Sequence, residues 1–348
     1  MDSFRLKQEF EKLNLTDRRE LLEELLILQE LEGLVLQEAS DEIKKQRDKK
    51  PCPYCKSKKV YRRGKQKNVQ MYKCREPECS LWFSETTGTA LYNIQLKNKW
   101  QSYLNCMEQG LSIKRIAKKL EISVQTSFDW RHKILSSLEH YIPKKLSEVV
   151  ECDELELPVS EKGNQSLDRP ARKRSEDFIR NDGTGNATTV QVVSAVQRNG
   201  EIFLKAVQTK RLSKEQIQEA LEGRITENTT LITDKHSSYK AFAKANPTIK
   251  HKTLLAKNHV DKNDKSIHLQ KVNNTHKQLR GFLRPFNGVS SKYLQNYLNW
   301  FAYLDKIHNT KTTLKKWCLT ILLSDKAYLI YKLFGSTANL MGKDLVHH

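Results

Sequence analysis

Cys52-Pro-Tyr-Cys55 is followed, 18 residues further on, by Cys74-Arg-Glu-Pro-Glu-Cys79. Nothing else in the chain restricts its fold so tightly. A C-x-x-C turn presents two thiolates on one side of a knuckle, and the spacer is long enough for a hairpin that brings the second pair round to the first. Four soft ligands from two short turns close a tetrahedral site. The spacing therefore predicts a structural Zn²⁺ held by Cys52, Cys55, Cys74 and Cys79, in a zinc ribbon over residues 49–96. The second knuckle has four residues between its cysteines instead of two, a permitted variation. Cys106, Cys152 and Cys318 are scattered, and such an uneven set fits a reducing cytosol better than a secreted disulfide scaffold.

The spacer of the ribbon is strongly basic: Lys56, Lys58, Lys59, Arg62, Arg63, Lys65 and Lys67, with Tyr61 and Tyr72 interleaved. Arg62, Arg63 and Lys65 are candidate phosphate contacts. The whole chain shares this bias, with 61 Lys and Arg against 41 Asp and Glu for a net charge of +20. A cation of this size is drawn to polyanions, nucleic acid first and an anionic membrane surface second. No segment approaches the roughly 20 apolar residues of a membrane span. Trp317–Leu323 is short and Ala327–Phe334 is broken by Lys332. The opening MDSFRLKQEF lacks the apolar stretch of a signal peptide. A cytoplasmic protein without a membrane partner is expected.

Residues 1–48 read as helix, with Leu13, Leu15, Leu21, Leu22, Leu25, Leu26 and Leu28 at helical intervals and Thr16 as a cap. Residues 97–145 read as a helix-turn-helix. Ser112 opens a short helix with Ile113, Ile116, Ala117 and Leu120 inward. Ile122 sits in the turn, and Ser123 caps a second helix carrying Val124, Phe128 and Leu135 inward. In that geometry the second helix enters the major groove of double-stranded DNA by its first turns. Gln125, Thr126 and Asp129 face bases, and Arg115, Lys118, Lys119 and Arg131 reach phosphate. Trp130 reads as core.

From residue 146 the pattern changes to strands. Val149–Val159, Thr188–Val196, Glu201–Val207, Thr230–Thr233 and Ile249–Leu254 are rich in β-branched and apolar residues, and Arg198-Asn-Gly200 marks a hairpin. Ser213 and Gln216 form a capping box opening a helix to Leu221, Ser237–Ala245 is helical, and Val272–Phe334 is mostly helix. This predicts a mixed α/β layer over residues 146–310, with a polar insertion at 160–187 containing the basic run Arg169–Arg174, and a helical segment at 311–348.

Glu151-Cys-Asp153-Glu154 lies in a predicted strand, and Asp234 follows directly on another. Carboxylates at strand positions far apart in sequence are what a two-metal phosphoryl-transfer site needs, because Mg²⁺ prefers oxygen ligands. Taken alone, such acids are a weak signal, because strand-end acids are common and solvated edges or salt bridges account for them better.

Further segments widen the pattern: Trp82-Phe83, Trp130-Arg-His-Lys133, Val150-Glu-Cys-Asp-Glu154, Ile232-Thr-Asp234 with Ser238-Tyr239, and above all Val272-Asn-Asn-Thr-His-Lys-Gln-Leu-Arg280 with Phe286-Asn-Gly288 and Lys292-Tyr-Leu294. In order and spacing over residues 50–305 the chain resembles bacterial insertion-sequence transposases of the DDE class, in the lineage with a zinc ribbon ahead of a ribonuclease H-like domain. The resemblance implies that Asp153 and Asp234 are the first two ligands for catalytic Mg²⁺ or Mn²⁺, two ions in all. The usual third ligand, a Glu on a helix, falls on Asn273, with Arg280 at the basic position seven residues on. Asn273, His276, Lys277 and Arg280 share a helical face. Asn274 and His276 are the alternatives for the third ligand, although a hydrogen-bonded structural role suits His276 better. The resemblance further implies binding of element ends and target DNA by a homodimer or larger assembly in the bacterial nucleoid. The Asn in place of Glu keeps open a DNA-binding regulator, or a domesticated copy without catalysis.

Overall fold

The computed structural model describes residues 3–19, 21–22, 41–43, 45, 51–66, 69–89, 91–92, 94, 96, 99–164, 166–167, 189–207, 211–255 and 260–310. Most of the insertion with its basic run, Lys67, Leu25, Leu26, Leu28 and the segment 311–348 lie outside them. The chain divides into two compact units.

In the first unit, helix α1 spans Ser3–Lys12, and β1 (Val60–Gln66), β2 (Val69–Cys74) and β3 (Trp82–Ser84) form an antiparallel meander. A knuckle precedes β1 and another joins β2 to β3. In one, the Lys56 amide donates to the Cys52 carbonyl at 2.9 Å; in the other, the Ser80 amide donates to the Glu76 carbonyl at 2.8 Å. Lys56 and Ser80 take positive φ of 64° and 43°, the left-handed conformation that turns a chain within so few residues. Stacked Tyr72 and Phe83 rings, 5.6 Å apart, complete a small core with Cys52 and Cys74. Helix α2 (Trp100–Glu108) buries Trp100, Tyr103, Leu104 and Met107.

The second unit contains α3 (Ile113–Lys119) and α4 (Val124–Ser137), then β4 (Val149–Pro158), β5 (Thr189–Gln197), β6 (Ile202–Val207), α5 (Lys214–Leu221), β7 (Thr230–Asp234), α6 (Ser237–Ala245), β8 (Lys250–Leu254), α7 (Gln270–Leu283) and α8 (Ser291–Thr310). The sheet has the order β6-β5-β4-β7-β8, with β4, β7 and β8 parallel and β5 antiparallel to both its neighbours. Helices cover both faces. Leu155, Val192, Ile232, Leu254 and Leu204 pack with Val272 and Leu279 of α7 and Leu294 and Leu298 of α8. Val150, Cys152, Val193 and Leu231 pack on the other side with Ile217 of α5 and Phe242 of α6. β5 is buried on both faces, which is why it reads as a nearly continuous apolar run. The Ser213–Gln216 capping box is present in both directions.

Ser123 caps α4, its hydroxyl accepting from the Thr126 amide at 2.9 Å. The Ser127 hydroxyl donates to the Ile113 carbonyl at 3.0 Å, tying α4 to α3. Trp130 is buried as expected. Three expectations are corrected. Thr16, read as a cap, lies inside the helix over residues 15–19, whose cap is Asn14, its Oδ1 accepting the Asp17 amide at 2.9 Å. Val124, read as inward, is 50% exposed. Arg131, read as a phosphate contact, is fully buried: its guanidinium lies 4.7 Å from the Trp300 ring centre and 5.8 Å from Phe286, and donates to the Leu111 carbonyl at 2.7 Å. The cation is held by aromatic faces and a backbone dipole, so it packs α4 onto α8 instead of reaching outward. His132, sandwiched by Phe128 and Tyr293 at 4.3 and 4.1 Å, belongs to the same seam.

At the root of the insertion, Lys162 Nζ donates to the carbonyls of Phe286, Asn287 and Gly288 at 2.6, 3.2 and 3.0 Å. Ser160 and Ser291 exchange two further bonds, at 2.7 and 2.8 Å. The end of β4 is thereby fastened to the start of α8.

Candidate active site

Side chains alternate along β4, so Glu151 and Asp153 share the face of Leu155, the face covered by α7 and α8. The parallel pairing of β4 with β7 ends at Cys152 and Thr233. Asp153 and Asp234 are the next residue on each strand. They stand level on neighbouring strands and on the same face, at the point where the strands part. The chain leaves β4 for β5 on one side and returns to β7 on the other, and the crevice beyond the carboxyl ends of strands at such a switch point is the usual ligand position in open sheets.

Both carboxylates are half-buried. One Asp234 oxygen accepts the His236 amide at 2.9 Å, a turn that fixes the carboxyl at the strand end. Burial, followed by the charges of Glu154 and Asp234, pushes Asp153 up to about 7. Glu154 is raised by burial and by Asp234. These crowded like charges are stabilised by a cation placed among them, and an all-oxygen donor set is what Mg²⁺ or Mn²⁺ takes. The residues fit the ions that the sequence implies.

This crowding predicts how stability varies with pH. Folded Asp153 titrates near about 7, against 3.8 in an unfolded chain, so unfolding releases a proton between those values and the carboxyl opposes folding increasingly as pH rises through them. His132 and His276, lowered chiefly by burial to about 3 and about 4, act in the opposite sense below their ordinary 6.5. Asp153→Asn isolates the carboxylate. In metal-free protein the melting temperature of this variant should rise relative to wild type between pH 4 and pH 7 and then level off, roughly the interval between the two Asp153 values. Mg²⁺ or Mn²⁺ should narrow the gap on the alkaline side. A gap independent of pH would overturn this reading.

α7 carries the remaining predicted residues. Val272, Thr275, His276 and Leu279 are buried, whereas Asn273, Asn274, Lys277 and Arg280 are exposed. Asn273, Lys277 and Arg280 form a flank next to His276 by helical spacing. His276 Nε2 lies 2.9 Å from Ser194 Oγ, and Nδ1 lies 4.0 Å from Asp153 Oδ2. Ser194 pairs with Asp153 across β4 and β5. The bond to Ser194 and its burial give His276 the structural role. A cleft of about 390 Å³ is lined by Glu154, Glu156, Gln191, Arg211, Leu212, His236 and Arg280, with neither Asp153 nor Asp234 in its wall. Arg280 thus reaches it from α7, and Arg211 was not foreseen from sequence.

The cysteine cluster is formed as predicted. The four sulfurs of Cys52, Cys55, Cys74 and Cys79 lie within 4.8 Å of one another, with Cys55–Cys74 at 3.5 Å and Cys52–Cys79 at 3.8 Å. A tetrahedron with Zn–S bonds of about 2.3 Å has sulfurs about 3.8 Å apart, so the donor set fits zinc. On the ribbon, cross-strand pairing places Tyr61, Lys73 and Trp82 in one row. Arg63 lies 5.6 Å from the Tyr61 ring and 5.3 Å from Trp82, and Arg75 lies 4.9 Å from Tyr61. The aromatic rings hold the guanidinium groups on an exposed sheet face, a signal that the sequence reading caught only through Tyr61 and Arg63. Arg62, Arg63 and Lys65 are exposed, as are Lys118, Lys119 and Gln125, whereas Thr126 is half-buried. Gln125 Nε2 donates to Asp129 at 2.8 Å.

Residues 145–304 match the ISXO2-like transposase domain family, which supports a transposase domain over that segment. The chain is 24% identical over 253 residues to an uncharacterized protein in transposable element ISH50 of Halobacterium salinarum, covering 72% of this chain and 83% of the relative. Among solved structures, a pre-cleavage Mos1 transpososome aligns at 12% identity with a TM-score of 0.29, covering 65% of this chain and 78% of that one. The Mos1 paired-end complex with the left transposon end aligns at 10% and 0.29, covering 67% and 76%. Superpositions this loose are no basis for transferring chemistry. Among the described residues, no helix is long and apolar enough to cross a membrane.

Proposed function

We propose that this chain is a DDE-class transposase that binds the ends of an insertion sequence, cuts a phosphodiester at each end and joins the freed 3′-OH to target DNA. The observation that carries this reading is the in-register pair Asp153 and Asp234 at the parting of β4 and β7, inside the segment that matches a transposase domain. The mixed sheet with helices on both faces fits a ribonuclease H-like domain.

In this reading Asp153, Asp234 and Asn273 would hold the divalent cations. When bound, the ions supply charge that lowers the pKa of the attacking hydroxyl and offsets charge on the leaving oxygen. Asn273 contributes a neutral carbonyl oxygen in place of the usual carboxylate. Arg280 orients a phosphate in the cleft, and His276, neutral and held by Ser194, keeps α7 against the sheet. The exposed ribbon face and the first turns of α4 grip duplex DNA, the former through phosphates and the latter through Gln125 and Thr126 at base edges. Both ends must be held together for joining, which calls for a dimer or larger assembly.

The test is incubation of full-length protein with labelled end DNA and Mg²⁺ or Mn²⁺. Cleaved and joined products are expected. An inert protein that still binds the ends with steep salt dependence would replace this reading with a regulator.

A further inference from the structure

We propose that Glu151 is a positioning residue that pins the axial register of α7 on β4, an inference that rests on Asp153, Asp234 and Asn273 being the metal ligands. Its side chain is fully buried. Oε2 accepts the backbone amides of Lys271 and Val272 at 2.8 and 3.0 Å. Oε1 accepts Arg198 Nε at 2.7 Å and lies 3.2 Å from His268 Nδ1. Arg198 in turn donates to the His268 carbonyl at 3.1 Å, tying the turn between β5 and β6 to the segment entering α7.

α7 has only a weak start signal of its own, His268 Nδ1 accepting the Gln270 amide at 3.4 Å. Its N-cap is Leu269, which makes no side-chain cap bond, and its first turn has no acidic residue. The two orphan amides of the first turn, together with the positive end of the helix dipole, are met by a carboxylate from the central strand. The helix therefore begins where Glu151 stands.

The consequence is a shared metric along the two elements. From Glu151 to Asp153 the strand advances by about 6.6 Å, and from Lys271 to His276 the helix advances by about 7.5 Å. The two elements run in step: Glu151 meets the start of α7, and His276 then meets Asp153 and Ser194. A slip of one residue would shift α7 by about 1.5 Å and turn it by about 100°, breaking the meeting of His276 with Asp153 and Ser194 and re-aiming the flank of Asn273 and Arg280.

The test uses zinc-loaded full-length protein with Fe²⁺ in place of Mg²⁺, ascorbate and peroxide, so that radicals born at the metal cut nearby backbone. Wild type should be cut near Asp153, Asp234 and Asn273. Glu151→Asp keeps the charge but draws the carboxylate back by one methylene, about 1.5 Å. Glu151→Gln keeps the shape and sets an amide donor against Arg198. Both variants should retain the cuts near Asp153 and Asp234, lose those near Asn273 by about tenfold, and keep their affinity for end DNA. Amide exchange should quicken at Lys271 and Val272 but not in the β4–β5 pairing. General loss of structure would instead weaken all three cuts together and overturn the pin. Wild-type cutting near Asn273 in both variants would overturn it equally. A wild-type protein cut at none of the three positions would overturn the metal site itself, a failure visible before any variant is made.

Discussion

Asp153→Ala and Asp234→Ala should each lower metal-dependent cleavage of end DNA by about a thousandfold or more while leaving DNA affinity nearly unchanged. The magnitude follows from what the carboxylates do together. They stand level on adjacent strands, and Asp234 raises the cost of ionising Asp153 and Glu154, so in the proposed site each removal takes away both a ligand and part of the charge that attracts the cation. Affinity for DNA should survive because the residues proposed to contact it lie on the ribbon and on the first turns of α4. Asn273→Ala should fall between these variants and wild type, since a neutral carbonyl oxygen is a weaker ligand than a carboxylate. Asn273→Asp should retain more activity than Asn273→Ala. Single-turnover cleavage with Mn²⁺, compared with binding of the same DNA by anisotropy, measures both quantities. Full cleavage by Asp153→Ala would remove the proposed site.

Stripping zinc with a strong chelator, or making Cys52→Ser or Cys74→Ser, should unfold the ribbon and weaken binding to end DNA by orders of magnitude, while the sheet of the second unit keeps its own unfolding transition. Binding free energies of structural zinc run to about 10–16 kcal/mol in small domains, and here they replace a core that the sequence does not supply. The ribbon's buried apolar cluster is Tyr72 and Phe83 with Cys52 and Cys74, and two of those four belong to the cysteine cluster that fits zinc. Between the left-handed turns at Lys56 and Ser80, the Ser57 hydroxyl donates to Glu76 at 2.8 Å and Lys59 pairs with Glu76 at 3.3 Å, but such part-exposed contacts supply far less than a metal would. Zinc content by mass spectrometry, protease sensitivity of the ribbon and DNA anisotropy check this. Unaltered protease resistance in the zinc-free chain would overturn it. Wild-type DNA affinity with an unfolded ribbon would assign the grip to α4 alone.

Much of this was legible in the sequence where the signal is local. Cysteine spacing, alternation on β4, the hairpin at Arg198-Asn-Gly200 and the Ser213–Gln216 box all depend on neighbours within a few residues, and the structure has each of them. Arg131 was misread because its charge was given more weight than its position. It lies seven residues after Val124 and three after Phe128, on the stripe taken as inward, and two aromatic faces accommodate the cation there. Val124 was misread from the same periodicity, since it lies in the first turn, before α4 reaches its packing partners. The capping role of Glu151 escaped notice for a different reason. A helix capped from another strand, 120 residues earlier, leaves no mark in its own first turn. Tertiary capping of this kind shows only when the two elements are seen side by side.

The buried seam of Arg131 and His132 against Phe286, Tyr293 and Trp300 also sets a scale. α4 is 14 residues long, about 21 Å from end to end, and its C-terminal half is rooted in the same core as α8. A reading head anchored there cannot swing against the carboxylates. Under the proposed function it acts as a ruler: the cut falls at a constant number of base pairs from the sequence that Gln125 and Thr126 touch. Moving that sequence by a single base pair moves the scissile bond with it.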